Sequence, residues 1–144
     1  MAAPGLPTKI QVEIVSQEGL LLRETVDEVI APGLDGYFGV LPGHTPMLAG
    51  LGNGGIRIRK GGAFLYFTCF GGFCEVLPDK VSILAEIGER AEDIDASRAE
   101  EAKRAAGERM KTIKDEAGYN EAHEAYVRAV TRLAIARRHQ APST

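Results

Sequence analysis

The feature that most constrains this chain is a change of composition near Arg90. Fifteen of the 17 glycines and six of the seven prolines lie at or before that residue. Twelve alanines lie between Ala91 and Ala136. Glycine and proline punctuate short strands and turns, whereas alanine favours helix. The chain therefore divides into residues 1–90 and 91–144, with no low-complexity linker and no internal repeat. Its 144 residues suit one ordinary domain, or a small domain with an appendage.

The first part reads as strands. Ile10, Val12 and Ile14 alternate with Gln11 and Glu13, which gives one buried and one wet face. Ile56 and Ile58 alternate with Arg57 and Arg59 in the same way. Ala63 to Phe70 is apolar on both faces and reads as a central strand. Phe73 to Leu77 and Val81 to Ile87 follow, broken at Pro78-Asp79. Gly61-Gly62 and Gly71-Gly72 are each expected to return the chain as a hairpin. About eight to ten short antiparallel strands then imply a sandwich or flattened barrel.

The second part reads as two helices, so the fold class is α+β: an N-terminal antiparallel β-sandwich, then an antiparallel two-helix hairpin. Asp95 is placed to cap the first helix, and Ser97 to Glu100 also fits a capping box. Gly118 reads as its stop and Asn120 as the next cap. The helices are then about 22 and about 20 residues long, each near 30 Å. The first presents mainly Ala96, Ala99, Ala102, Ala106, Met110 and Ile113. The second presents Ala122, Ala125, Ala129, Leu133 and Ala136, with Tyr126 and Val130 beside them. Alanine buries little area, so such helices hold each other weakly, yet each stays helical when separated. This predicts a hairpin able to reopen against another surface. No acid follows Glu124, while Arg128, Arg132, Arg137 and Arg138 close the second helix, as the helix dipole favours.

Other function classes find little support. A formal net charge of -3 gives no basic excess for nucleic acid. Cys69 and Cys74 are too few for a disulfide scaffold or a zinc knuckle, and read as buried reduced thiols. No apolar run approaches the roughly 20 residues of a membrane span, so direct membrane insertion is not expected. Met1-Ala2-Ala3-Pro4 does not open like a signal peptide. Gly52-Asn53-Gly54-Gly55 lacks the Lys-Ser/Thr of a phosphate loop. His44, His123 and His139 belong to different elements, so no catalytic residue is expected, and no metal site or required cofactor. A small β-barrel ligand carrier or enzyme with a helical cap stays open, as does a plain interaction module.

The segment Ala31 to Leu48 narrows these options. It is a glycine-hinged loop, a short strand, a Pro-Gly turn, and a strand restarting after Pro46. Tyr37 and Phe38 are adjacent, so one points inward and the other outward in extended chain. Phe38 to Pro46 resembles the Phe/Leu-Gly-x-Leu-Pro-Gly-His-x-Pro signature of the F-type ATP synthase epsilon family, called delta in mitochondria. Gly54 to Ile58 resembles the family's next strand, and Ile94 to Ala99 matches its Ile/Leu-Asp-x-x-Arg-Ala motif. The resemblance runs from about Lys9 to Arg138.

The resemblance implies a non-catalytic subunit of the central stalk, peripheral on the cytoplasmic face of a bacterial cell membrane. It implies binding to the gamma subunit and the c-ring, coupling of proton-driven rotation to ATP synthesis, and contact with the alpha-beta hexamer when the hairpin extends. Extension would restrain ATP hydrolysis. By the same resemblance, Asp35, Gly36, Tyr37, Phe38, Pro42, Gly43 and His44 face gamma and the ring. The family often has an acid where Tyr37 stands. Some bacterial members bind regulatory ATP on the folded hairpin, and Glu89, Ile94, Asp95, Arg98, Ala99, Arg128 and Arg132 match positions used there. A further basic position of that site falls on Ala105, with Arg104 beside it.

Overall fold

A computed structural model describes residues 5–141. The Met1-to-Pro4 opening and residues 142–144 of the hairpin segment lie outside the described residues. Seven strands come first: β1 (Ile10–Ser16), β2 (Gly19–Val26), β3 (Glu28–Gly33), β4 (Gly36–Val40), β5 (Met47–Lys60), β6 (Ala63–Leu77) and β7 (Lys80–Arg90). A short 3-10 turn at Ala91–Asp93 leads to helices α1 (Ala96–Thr112) and α2 (Glu116–Gln140).

The strands form one sheet in the order β2-β1-β7-β6-β5-β3-β4. All seven contribute to a single core, including Ile10, Val26, Val29, Val40, Ile56, Cys74 and Ile83. One sheet can share one core only by folding over itself into two layers, which makes the β-sandwich. Lys60 Nζ bonds Glu24 Oε2 at 2.7 Å, joining β5 to β2 across that fold. Asp27, just beyond β2, accepts from the Gly61 N–H at 2.7 Å and pairs with Lys9.

The predicted alternation in β1 holds: Ile10, Val12 and Ile14 are buried, as are Ile56 and Ile58 in β5. Gly61-Gly62 forms the predicted turn. Three details differ from expectation. The strands number seven among the described residues, not eight to ten, because β5 and β6 run unbroken for 14 and 15 residues. Gly71-Gly72 does not return the chain but kinks β6, with φ of 79° and 128°. A side chain on Gly72 would collide with the Leu84 carbonyl, so glycine is required there. Finally, β1 pairs with β7 in parallel, the one exception to antiparallel pairing among the described residues.

The helical part is a docked hairpin whose lengths differ from expectation. Asp95 does cap α1, accepting from the Arg98 N–H at 3.1 Å. Gly118 is not a stop and Asn120 is not a cap. Asp115 accepts from the Gly118 N–H at 2.8 Å, so α2 starts earlier, and α1 ends after 17 residues. Helix α1 rests principally on α2, and α2 rests on β5 and β6. Ala99 and Ala106 of α1 are buried, as are Ala122, Ala129 and Ala136 of α2. Seven-residue spacing keeps each set on one stripe. At about 0.8 kcal/mol per methyl-sized group, this contact is thin. Ala96 and Ala102 stay exposed, whereas Ile135, outside the alanine stripe, is buried. Ile135 faces the sheet, where Gly55 leaves room for its Cδ1.

Cys69 and Cys74 are buried, free thiols of β6. Burial pushes both up to about 12, so they remain protonated. No helix among the described residues is long and apolar enough to cross a membrane.

Candidate functional site

The junction between β7 and α1 builds a cleft of about 400 Å³ against α2. The end of β7 supplies Glu89, the connecting turn Asp93, Ile94 and Asp95, the first turns of α1 Arg98, Ala99 and Ala102, and α2 Arg132. Six residues expected from sequence thus converge: Glu89, Ile94, Asp95, Arg98, Ala99 and Arg132. Arg128 does not line the cleft. It lies one turn away and meets Glu124 at 3.9 Å along α2. Ala105 and Arg104 are also outside it, and Arg104 pairs with Glu101 on the exposed side of α1.

Within the cleft, Arg132 is already engaged. Its Nε donates to Glu89 Oε1 at 2.9 Å and Oε2 at 3.2 Å. Its guanidinium stacks over the Phe70 ring, 5.1 Å from the centroid. Glu89 Oε1 also accepts from the buried Thr68 hydroxyl at 2.9 Å. The result is a latch: a sheet carboxylate, oriented by a core hydroxyl, holds an arginine of α2. Both side chains are about two-thirds covered, at 28% and 33% exposure, so water screens the pair less than at an open surface. Arg98 forms no ion pair among the described residues. It is available to a phosphate group, while Arg132 would have to share its charge with Glu89. Ala105 offers no cation where the resemblance places one.

The second predicted set surrounds the β3–β4 turn and the turn after β4. Tyr37 and Phe38 divide as adjacent strand residues must: Phe38 packs on the core and Tyr37 is 63% exposed. The Tyr37 hydroxyl nonetheless has a partner, accepting the Gly55 N–H at 3.0 Å. Asp35 occupies the turn and Gly36 holds a φ of 125°. Pro42-Gly43 is tied to the β6–β7 turn, since the Gly43 N–H donates to the Pro78 carbonyl at 2.7 Å. His44 Nδ1 lies 2.7 Å from the Thr45 carbonyl, so its proton is on that nitrogen. Asp35 in one turn, with Gly36 opening β4, and Pro42, Gly43 and His44 in the next mark the two ends of β4.

Sequence reasoning missed an apolar row on the outer sheet face. Leu34 sits over Gly50 of β5, Gly50 pairs with Phe73 of β6, and Phe73 pairs with Leu84 of β7. Leu84 pairs in turn with Val15 of β1. Leu48 lies two residues from Gly50 on the same face. Leu34 at 73%, Leu48 at 74%, Phe73 at 61% and Leu84 at 58% are all exposed. A contiguous row of this kind marks an interaction surface. Its signal in sequence is the apolar residue at positions that strand alternation assigns to solvent.

Comparison with known families then decides the kinship. The model of the ATP synthase delta/epsilon chain beta-sandwich domain matches residues 9–91, and that of the long alpha-helix domain matches residues 92–137. The chain belongs to the ATP synthase delta/epsilon family. An ATP synthase epsilon chain of Syntrophobacter fumaroxidans is 45% identical over 128 residues, covering 89% of this chain and 96% of that one. One from Nitratidesulfovibrio vulgaris is 43% identical over 126 residues, covering 88% and 94%. The fold also matches a chain of the Euglena gracilis mitochondrial ATP synthase, with a TM-score of 0.80 and 23% identity, over 93% of this chain and 85% of that one. Delta/epsilon chains are non-catalytic members of a membrane-associated complex, so the free-standing carrier or enzyme is set aside.

Proposed function

We propose that this subunit works in the central stalk, where it couples proton-driven rotation to ATP synthesis and restrains ATP hydrolysis through its hairpin. The observation that carries this reading is the layered attachment of the hairpin. Helix α1 rests on α2, and α2 is held to the sandwich by Arg132–Glu89 and Ile135. Few contacts need to break for the pair to leave, and alanine-rich helices keep their form when they do.

The sandwich is the fixed part. Its outer row of Leu34, Leu48, Phe73 and Leu84 suits the gamma subunit, and the turns at Asp35–Gly36 and Pro42–His44 suit the c-ring. The subunit is then peripheral, on the cytoplasmic face of a bacterial membrane. Once released, the end of α2 presents Arg128, Arg132, Arg137 and Arg138 to acidic surfaces of the alpha-beta hexamer. Regulatory ATP in the Arg98–Arg132 cleft would favour the docked state, because both walls of that cleft exist only when the hairpin is folded.

The test is ATP hydrolysis by the assembled synthase, with this subunit intact or ended after Arg90. Faster hydrolysis by the shortened form is the expected result. An unchanged rate, with the shortened subunit present in the complex, refutes the inhibitory role. Equilibrium titration of the intact chain with ATP tests the nucleotide reading, which fails if no saturable binding occurs below millimolar concentrations.

A further inference from the structure

A second cleft, of about 400 Å³, opens between α2 and the sheet and shares no lining residue with the first. Ile30, Tyr37, Tyr66 and Ile135 give it an apolar body. Its charged lining is Arg57 and Arg138, with no carboxylate. Arg138 stacks over Tyr66 at 5.7 Å and has no acidic partner among the described residues. Arg57 stacks over Phe64 at 4.8 Å and meets Glu28 at 3.5 Å, so its charge is only partly balanced.

We infer that this cleft binds a small amphipathic carboxylate, with its apolar body between Ile135 and the tyrosines and its anionic head on Arg138. A guanidinium stacked on a ring keeps its N–H edge free for a carboxylate. An apolar cavity with a few convergent polar groups is the general form of a ligand site. The first cleft differs in kind, since Glu89, Asp93 and Asp95 line it. One wall here is α2 and the others are β3 to β6, so the ligand binds the docked hairpin and holds it there.

The experiment is an amide NMR titration of the full chain with sodium octanoate, and with octanol and octylammonium at equal concentrations. Octanoate is expected to shift Gly55, Tyr66, Ala134 and Ile135 saturably. Octanol and octylammonium should bind at least tenfold more weakly. Arg138→Gln, an exposed change, should weaken octanoate at least fivefold, and Ala134→Trp should block it by filling the cleft. The inference is overturned if octanoate gives no saturable shifts, if it shifts only the Leu48, Phe73 and Leu84 face, if octanol binds equally well, or if Arg138→Gln binds octanoate within twofold of the parent. Binding is read on the chain alone, so the outcome does not depend on what the hairpin does in the synthase.

Discussion

Replacing Arg132 with alanine should loosen the hairpin without unfolding either part. The substitution removes a charge-assisted bond to Glu89, at 2.9 and 3.2 Å, and a cation–π contact with Phe70 at 5.1 Å. A hydrogen bond to a charged group contributes about 1.5–3 kcal/mol and a partly exposed cation–π contact about 0.5–1 kcal/mol. Glu89 keeps Thr68 as a donor and regains water, which offsets part of the loss. A net weakening of about 2 kcal/mol follows, or roughly a 30-fold rise in the ratio of undocked to docked hairpin. Spin labels at the exposed Lys60 and Arg137 would read that ratio as a distance distribution. Glu89→Gln, alone and combined with Arg132→Ala, completes a cycle whose coupling should reach about 1 kcal/mol or more. A ratio within threefold of the parent, with no coupling in the cycle, would refute the latch. In the assembled synthase, Glu89→Gln, which weakens the latch and leaves the basic end of α2 intact, should slow ATP hydrolysis, the opposite of removing the hairpin.

Three further outcomes are expected. Asp115→Ala should lower stability by about 1 kcal/mol through loss of the α2 cap, while Asn120→Ala, an exposed change inside the helix, should be near neutral in chemical denaturation. Cys69 and Cys74 should resist alkylation at pH 8 until the chain unfolds; since their folded values lie near 12 against an ordinary 9.0, the unfolded chain ionises first, and stability should fall from pH 9 towards 12. The Lys9 contact, then the Gly61 N–H, holds the Asp27 carboxyl below its ordinary 3.8. Its contribution is therefore complete above pH 3.8 and lost as pH falls through the lower folded value, so Asp27→Asn should destabilise at pH 7 and matter less near pH 2.

Local signals were enough for much of this fold. The Ile10–Val12–Ile14 alternation, the Asp95 cap and the opposed facing of Tyr37 and Phe38 each follow from a few neighbouring residues. The errors arose where the deciding partner is distant or two motifs share one spelling. Gly71-Gly72 reads as a turn, yet the crowding that demands glycine comes from Leu84 on another strand. Gly118 reads as a stop because glycine commonly ends helices, yet Asp115, three residues earlier, is itself a cap and closes on the Gly118 N–H. Ile135 falls outside a single apolar stripe because α2 sits between α1 and the sheet and needs two. At the site, Glu89, Ile94, Asp95, Arg98, Ala99 and Arg132 line one cleft and Arg128 does not. The pairing of Glu89 with Arg132, which decides how much charge the cleft retains, depends on packing across 43 positions.

The placement of β7 bears on how the subunit carries load. This strand lies inside the sheet, between β1 and β6, and the helices leave directly from its end. It is bonded to β6 from Lys80 to Arg90 and to β1 from Lys80 to Leu84. A pull along the strand from the hairpin must shear two ladders at once, whereas an edge strand would open one bond at a time. The junction at Arg90 is therefore mechanically firm while the helices beyond it are loosely seated. Tension on the hairpin would free the helices and leave the body to which they are anchored intact.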